Sequence, residues 1–196
     1  MTFVDPYFDQ ENGVLRNLLG ASSPEELTAI EPQIVFANEL ELSALTIPRT
    51  NDLDELRAIH RQLFRDVFDW AGKIRTVDIK KDEDSEFFLI VSKIPSGAAY
   101  VFGELAEESG LRGLSRDAFV ERLSYFYDQL NYIHPFREGN GRTQRVFWSR
   151  VARDAGYQIA WDEVVGTEND DASRLAAEQD DRSQLVSMFQ RIIKEQ

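Results

Sequence analysis

The sequence contains no cysteine, which excludes disulfides and any thiolate metal site and makes a cytoplasmic protein the simplest reading. Basic residues are few. Lys and Arg number 22 against 35 Asp and Glu, for a net charge of -13. That balance argues against general affinity for nucleic acid or an anionic membrane, while leaving room for one local basic pocket. No apolar run approaches the ~18 residues of a membrane span. Residues 1–9 lack a basic region followed by an apolar stretch, so no signal peptide is expected. There is no internal repeat, low-complexity tract or linker. What the chain does have is 42% hydrophobic residues, 13 Phe among them, in 196 residues, enough for one domain with a real core.

Helical spacing dominates. Phe3, Tyr7, Phe8 and Leu15 read as an arm packed on the domain, with a turn at Glu11-Asn12-Gly13. Ser23-Pro24-Glu25-Glu26 marks a helix start, and Pro32 predicts an interruption before a second segment to about Leu45. Asp52 caps a run carrying Leu53, Leu56, Ile59, Leu63, Val67 and Trp70, which Gly72 ends. His60 lies beside that stripe and reads as a structural or surface histidine. Residues 74–94 alternate around a charged turn and predict a small hairpin, either a solvated surface feature or a flap over a site. A further helix is expected near 95–109, burying Tyr100, Phe102 and Leu105. Next, Ser115 caps a helix with apolar Phe119, Leu123, Phe126, Leu130 and Ile133 in alternating steps of four and three. The last part carries Leu185, Met188, Phe189 and Ile192 on one helical face. The expected fold is mostly α, a helical bundle with a small β-hairpin.

The stretch 134–145, H-P-F-R-E-G-N-G-R-T-Q-R, organises the rest. His134 stands at the end of a helix, where its imidazole can act as a general base. Gly139 and Gly141 flank Asn140 and let backbone N–H groups point at an anion. Gly141 also opens a helix, whose N-terminus favours phosphate. Arg142 and Arg145, three apart, lie on one side of the first turn and can clamp phosphate oxygens. Glu138 reaches phosphate through Mg²⁺, which takes one or two carboxylates plus substrate oxygens. Arg137 reads as solvent-facing. Such cations concentrated in an acidic chain point to a phosphate site.

These residues resemble the Fic family, whose motif H-x-F-x-(D/E)-G-N-G-R-x-x-R is matched at His134, Phe136, Glu138, Gly139, Asn140, Gly141, Arg142 and Arg145. Residues 56–76, with Asp5-Pro6-Tyr7 and Gly13-Val14-Leu15, also look like single-domain bacterial Fic toxins. The resemblance implies a Fic fold over 1–196: an N-terminal arm and helices to about 50, a core at 51–160 with a flap near 76–94, and C-terminal helices at 161–196. It implies transfer of AMP from ATP to a Tyr, Thr or Ser hydroxyl of a target protein, with release of pyrophosphate. His134 would be the base, Phe136 the loop anchor and Glu138 the Mg²⁺ ligand. Gly139, Asn140 and Gly141 would form the anion hole, Arg142 and Arg145 would bind phosphates, and Ile90, Val91, Ser92 and Lys93 would dock the target. Family toxins of this kind act on type II topoisomerases, DNA gyrase and topoisomerase IV.

Many relatives carry an inhibitory (S/T)-x-x-x-E-(G/N) helix, whose glutamate pairs with the second motif arginine. Here Ser22 and Glu26 are followed by Leu27, while Glu168-Asn169 and Glu11-Asn12 are preceded at the first position by Val164 and Tyr7. No inhibitory glutamate is therefore expected within the chain: either the protein is unregulated or the glutamate comes from another chain, and the resemblance points to a small antitoxin contacting Arg145. Gly141 argues against the phosphorylating branch. Transfer of UMP or phosphocholine, and a non-catalytic nucleotide-binding or adaptor module, are the competing readings. Intact His134 and Glu138 speak against the last of these.

Overall fold

The computed structural model describes residues 5–42, 44–81 and 88–196. Phe3 and the expected flap tip at 82–87 lie outside the described residues. Seven helices form the described fold: α1 (Pro24–Leu42), α2 (Leu53–Phe64), α3 (Ile94–Glu107), α4 (Arg116–Ile133), α5 (Asn140–Asp154), α6 (Glu168–Gln179) and α7 (Ser183–Ile192). α4 is central and packs on α3, α5, α6 and α7, while α2 packs on α1 and α5. Two short antiparallel pairs pin the ends: β1 (Phe8–Asp9) with β2 (Val14–Leu15), and β3 (Tyr157–Ile159) with β4 (Ile193–Glu195). The first closes around the expected turn at Glu11-Asn12-Gly13.

α1 begins where the cap residues placed it. The Ser23 hydroxyl accepts from the Glu26 N–H at 3.2 Å, and the Glu26 carboxylate reaches back to the Ser22 N–H at 2.8 Å. Pro32 does not interrupt α1 as expected. It sits on the exposed face, so the carbonyl it leaves without a donor opens to solvent and not to the core. α2 ends at Phe64, earlier than expected, because Val67, Phe68 and Trp70 fold back into the core. Phe68 and Trp70 stack with centroids 4.2 Å apart, and burial of such rings outweighs one more helical turn.

The α4 stripe is buried along its whole length, from Phe119 to Ile133. Ser115 occupies its N-cap but makes no capping bond. Tyr100, expected inside, is 62% exposed and bonds Glu104 at 3.2 Å. It shares α3 with buried Phe102 and Leu105 but lies on the opposite side of the helix. Gly156 ends α5 at φ +89°, the left-handed conformation a glycine supplies. The loop between α4 and α5 is the 134–139 stretch, so these two packed helices present it.

Candidate active site

His134 caps α4 in the left-handed conformation, φ 45°, ψ 62°. Its Nδ1 lies 3.1 Å from the Asn131 carbonyl. A carbonyl only accepts, so Nδ1 carries the proton and Nε2 keeps a lone pair, the form a general base needs. Phe88 stacks on the ring at 3.7 Å and 13°. Desolvation by this packing, with smaller repulsion from Arg75 and Lys81 and an opposing bond to Asn131, pushes the imidazole down to about 3.

The turn after it is fixed from inside. Phe136 is fully buried and stacks on His60 at 3.9 Å. The Asn140 side chain accepts from Phe136 N–H at 2.9 Å and donates to the Phe136 carbonyl at 2.8 Å. Its amide is therefore a staple of the loop, and only its backbone N–H can serve an anion. Gly139 adopts φ +79°, and a Cβ there would meet the Phe64 ring at 2.3 Å, so glycine is required. A Cβ on Gly141 would stand in open space. The first bond within α5 runs from Thr143 N–H to Gly139 at 3.1 Å. It leaves the N–H groups of Asn140, Gly141 and Arg142 without acceptors among the described residues, the arrangement that binds phosphate at a helix N-terminus.

Glu138 is 45% exposed at its side chain. Its Oε1 accepts from Gly139 N–H at 2.8 Å and lies 3.4 Å from Arg142, while Oε2 is uncommitted among the described residues. No group of three or more His, Cys, Asp or Glu that could hold a metal occurs among the described residues. A single outward carboxylate fits a cation that arrives with phosphate oxygens as its other ligands.

His134, Glu138, Gly139, Asn140 and Gly141 share one cavity of about 390 Å³, whose far wall is α6 and whose rim includes Ile79 and Phe88. Arg142 and Arg145 instead line a larger groove of about 670 Å³ on the other side of the α5 N-terminus, with Leu42, Leu45, Ile47 and Trp161. Arg142 is held by both oxygens of buried Glu31 in α1, at 2.5 and 2.6 Å. Arg145 makes no ion pair among the described residues and lies 5.4 Å from the Trp161 ring. Arg137, expected at the surface, is part-buried and pairs with Asp5 at 2.8 Å, tying the N-terminal arm to the loop.

Residues 90–93 do not form the expected docking strand. Val91–Lys93 is a 3-10 turn leading into α3, because Lys93 N–H returns to the Ile90 carbonyl at 2.9 Å and Pro95 enforces the helix start. One hairpin-like bond lies earlier, where Phe88 N–H donates to the Ile79 carbonyl at 3.1 Å, while Leu89 N–H donates to the Tyr132 carbonyl in α4 at 3.0 Å.

Arg75 escaped the sequence reading, and His60, read as a structural or surface histidine, is structural with contacts that reading did not name. Arg75 is 1% exposed, donates to the carbonyls of His134 (2.8 Å), Val77 (2.8 Å) and Leu89, and joins residues 77–89 to the His134 turn. Burial lowers its pKa against the pull of Asp78. His60 accepts from Gly72 N–H at 2.8 Å and faces the Glu138 carbonyl at 3.0 Å. Only tertiary contact reveals either role.

The comparisons with known proteins agree with this geometry. The Fic/DOC family model matches residues 50–152. Protein adenylyltransferase VbhT of Bartonella schoenbuchensis is 44% identical over 86% of this chain, which spans 35% of that protein's length. The Probable protein adenylyltransferase Fic of Salmonella typhimurium is 36% identical over 97% of this chain and 93% of its own. The N-terminal Fic domain of a VirB-translocated Bep effector protein from Bartonella quintana, solved with bound ADP, superposes with a TM-score of 0.88. It is 27% identical, over 97% of this chain and 95% of that one. A family model covering more than half of the chain, and a relative matched along nearly its whole length, establish that the chain belongs to the Fic/DOC family.

Proposed function

We propose that the chain is a protein adenylyltransferase that moves AMP from ATP to a hydroxyl side chain of another protein. One observation carries the reading: His134 holds a free Nε2 in the same cavity as the unpaired N–H groups that open α5. That cavity pairs a proton acceptor with a phosphate cradle. A helix N-terminus alone would serve a binding module, but a base with its tautomer set by Asn131 serves a reaction.

Nε2 takes the proton of the target's hydroxyl as the oxygen attacks the α-phosphorus. The bond to the β-phosphate oxygen breaks, and pyrophosphate departs with the electron pair. Backbone N–H groups of α5 stabilise charge developing on the phosphorus oxygens. Glu138 would hold Mg²⁺, which supplies charge neutralisation for the polyphosphate. Arg142 and Arg145 reach the terminal phosphates from the opposite side of α5, Arg142 by sharing with Glu31.

The target segment would lie against the described hairpin base, Ile79 to Lys81 and Phe88 to Ile90. DNA gyrase and topoisomerase IV are the first candidates for the target, and the cytoplasm is the proposed compartment. The second groove supports a further part of the reading. Arg145, which makes no ion pair among the described residues, stands there among Leu42, Leu45, Ile47, Trp161 and Glu39, and would meet an antitoxin helix that presents a glutamate. Replacing that glutamate by glycine in the purified complex should restore activity.

The test is transfer from ATP labelled on the α-phosphate, in bacterial lysate with Mg²⁺, beside a His134→Ala control. A labelled protein that disappears in the control supports the proposal. Label from UTP or CDP-choline but not ATP would move the reading to another donor.

A further inference from the structure

Glu31 is a carboxylate where α1 should be apolar. It shares the inward face of the helix with buried Leu27, Val35 and Asn38. The Asn38 side chain donates to the Leu63 carbonyl at 3.1 Å, and the Asn38 carbonyl accepts from the Gln62 amide at 3.2 Å, so this face is fixed on α2. A carboxylate taken from water into such a face is costly unless a cation meets it. Arg142 supplies the cation, and both Glu31 oxygens fall on the same guanidinium nitrogen, Nη1. A buried ion pair adds little stability over apolar residues of the same volume. What this pair provides is geometry.

Two directions are open to the Arg142 guanidinium. It borders the large groove that it shares with Arg145 and Trp161, and it also borders Glu138, which lines the cavity of His134. With Nη1 on Glu31 and Cζ 4.8 Å from the centre of the Phe64 ring, the free Nη2 is the one turned to Glu138, 3.4 Å from Oε1. Released from Glu31, this long and half-buried side chain would regain the rotamers that point into the groove. We infer that Glu31 is a positioning residue for nucleotide binding, holding Arg142 by Nη1 so that Nη2 faces the phosphates of the donor. The carboxylate touches no substrate and acts through the arginine alone. The inference rests on the adenylyl-transfer reading and adds to it the residue that orients a phosphate-binding arginine.

The experiment uses the full chain and reads binding apart from transfer. Calorimetry with ATP, inorganic triphosphate and adenosine is set beside transfer from ATP labelled on the α-phosphate. Glu31→Gln keeps the shape of the side chain and removes its charge. It should weaken ATP and inorganic triphosphate alike, by about tenfold or more, the worth of one charge-assisted hydrogen bond, and leave adenosine unchanged. In an Arg142→Gln background the same substitution should have no further effect on triphosphate. Triphosphate binding unchanged in Glu31→Gln, adenosine weakening in parallel, or the two substitutions adding in full would overturn the assignment. The wild type offers a test that needs no variant to fold. NMR of the Arg142 guanidinium should show two inequivalent Nη groups in slow rotation, with and without triphosphate, and equivalent groups would also overturn it. A wild type that binds ATP and triphosphate but transfers no label would instead sink the adenylyl-transfer reading and leave the role of Glu31 standing.

Discussion

His60 allows a quantitative test of how the turn after His134 is held. The ring is 0% exposed, 3.9 Å from Phe136 and 4.7 Å from Phe64. Because Nδ1 accepts from Gly72 N–H, the proton sits on Nε2 and is donated to the Glu138 carbonyl. Protonation would break the Gly72 bond and place a charge in the core. Burial accordingly pushes the ring down to about 4 from 6.5. Above pH 6.5 neither the folded nor the unfolded chain binds a proton there. Below it the unfolded chain binds more, so stability falls as pH drops from 6.5 towards 4 and levels off beyond. At pH 5 the loss from this one group is about 2 kcal/mol, at about 1.36 kcal/mol per pH unit. His60→Leu removes that dependence but strands the Gly72 N–H and the Glu138 carbonyl, at about 1–3 kcal/mol each. Urea unfolding of both chains at pH 7 and pH 5 separates the two effects. His134 contributes equally to both chains and cancels. The variant should be about 2–6 kcal/mol less stable at pH 7, and its loss on acidification should be about 2 kcal/mol smaller than that of the wild type. Equal losses on acidification would refute a neutral, doubly bonded His60.

Gly139→Ala forces a Cβ to 2.3 Å from the Phe64 ring at φ +79°, and should lower stability by about 2–4 kcal/mol and transfer by more than tenfold. Wild-type melting temperature in this variant would show that the turn is not built as described. Arg75→Gln should lower the melting temperature and slow transfer, because the carbonyls of His134, Val77 and Leu89 lose a shared donor. Restoration by Arg75→Lys would contradict it, since an ammonium lacks the planar fork. In the free chain the His134 ring should stay neutral down to pH 5 by NMR, its pKa depressed towards about 3 by burial. A titration midpoint near 6.5 would mean that Phe88 does not pack on it.

The 134–145 turn was legible because its signals are local. The α4 stripe delivers His134 to a helix end, and the glycines and arginines that follow are adjacent in sequence. The expected roles of His134 and Phe136 need only the helix period and a close-packed anchor. What sequence could not show came from long-range contact. Glu31 meets Arg142 across 111 positions, Arg75 meets His134 across 59, and Asp5 meets Arg137 across 132. The end of α2 was missed because Val67 and Trp70 keep helical spacing although the chain turns after Phe64 and stacks Trp70 on Phe68. The strand expected at 90–93 does not form because β-prone Ile90 and Val91 yield to the helix start at Pro95.

The most direct measurement compares two labels in one transfer reaction. The purified chain is given its target with ATP labelled on the α-phosphate in one tube and on the γ-phosphate in another. Adenylyl transfer through the His134 turn predicts protein-bound label from the α position and none from the γ position, with both tubes blank for His134→Ala. Protein-bound γ label, or α label that persists in His134→Ala, would contradict the account.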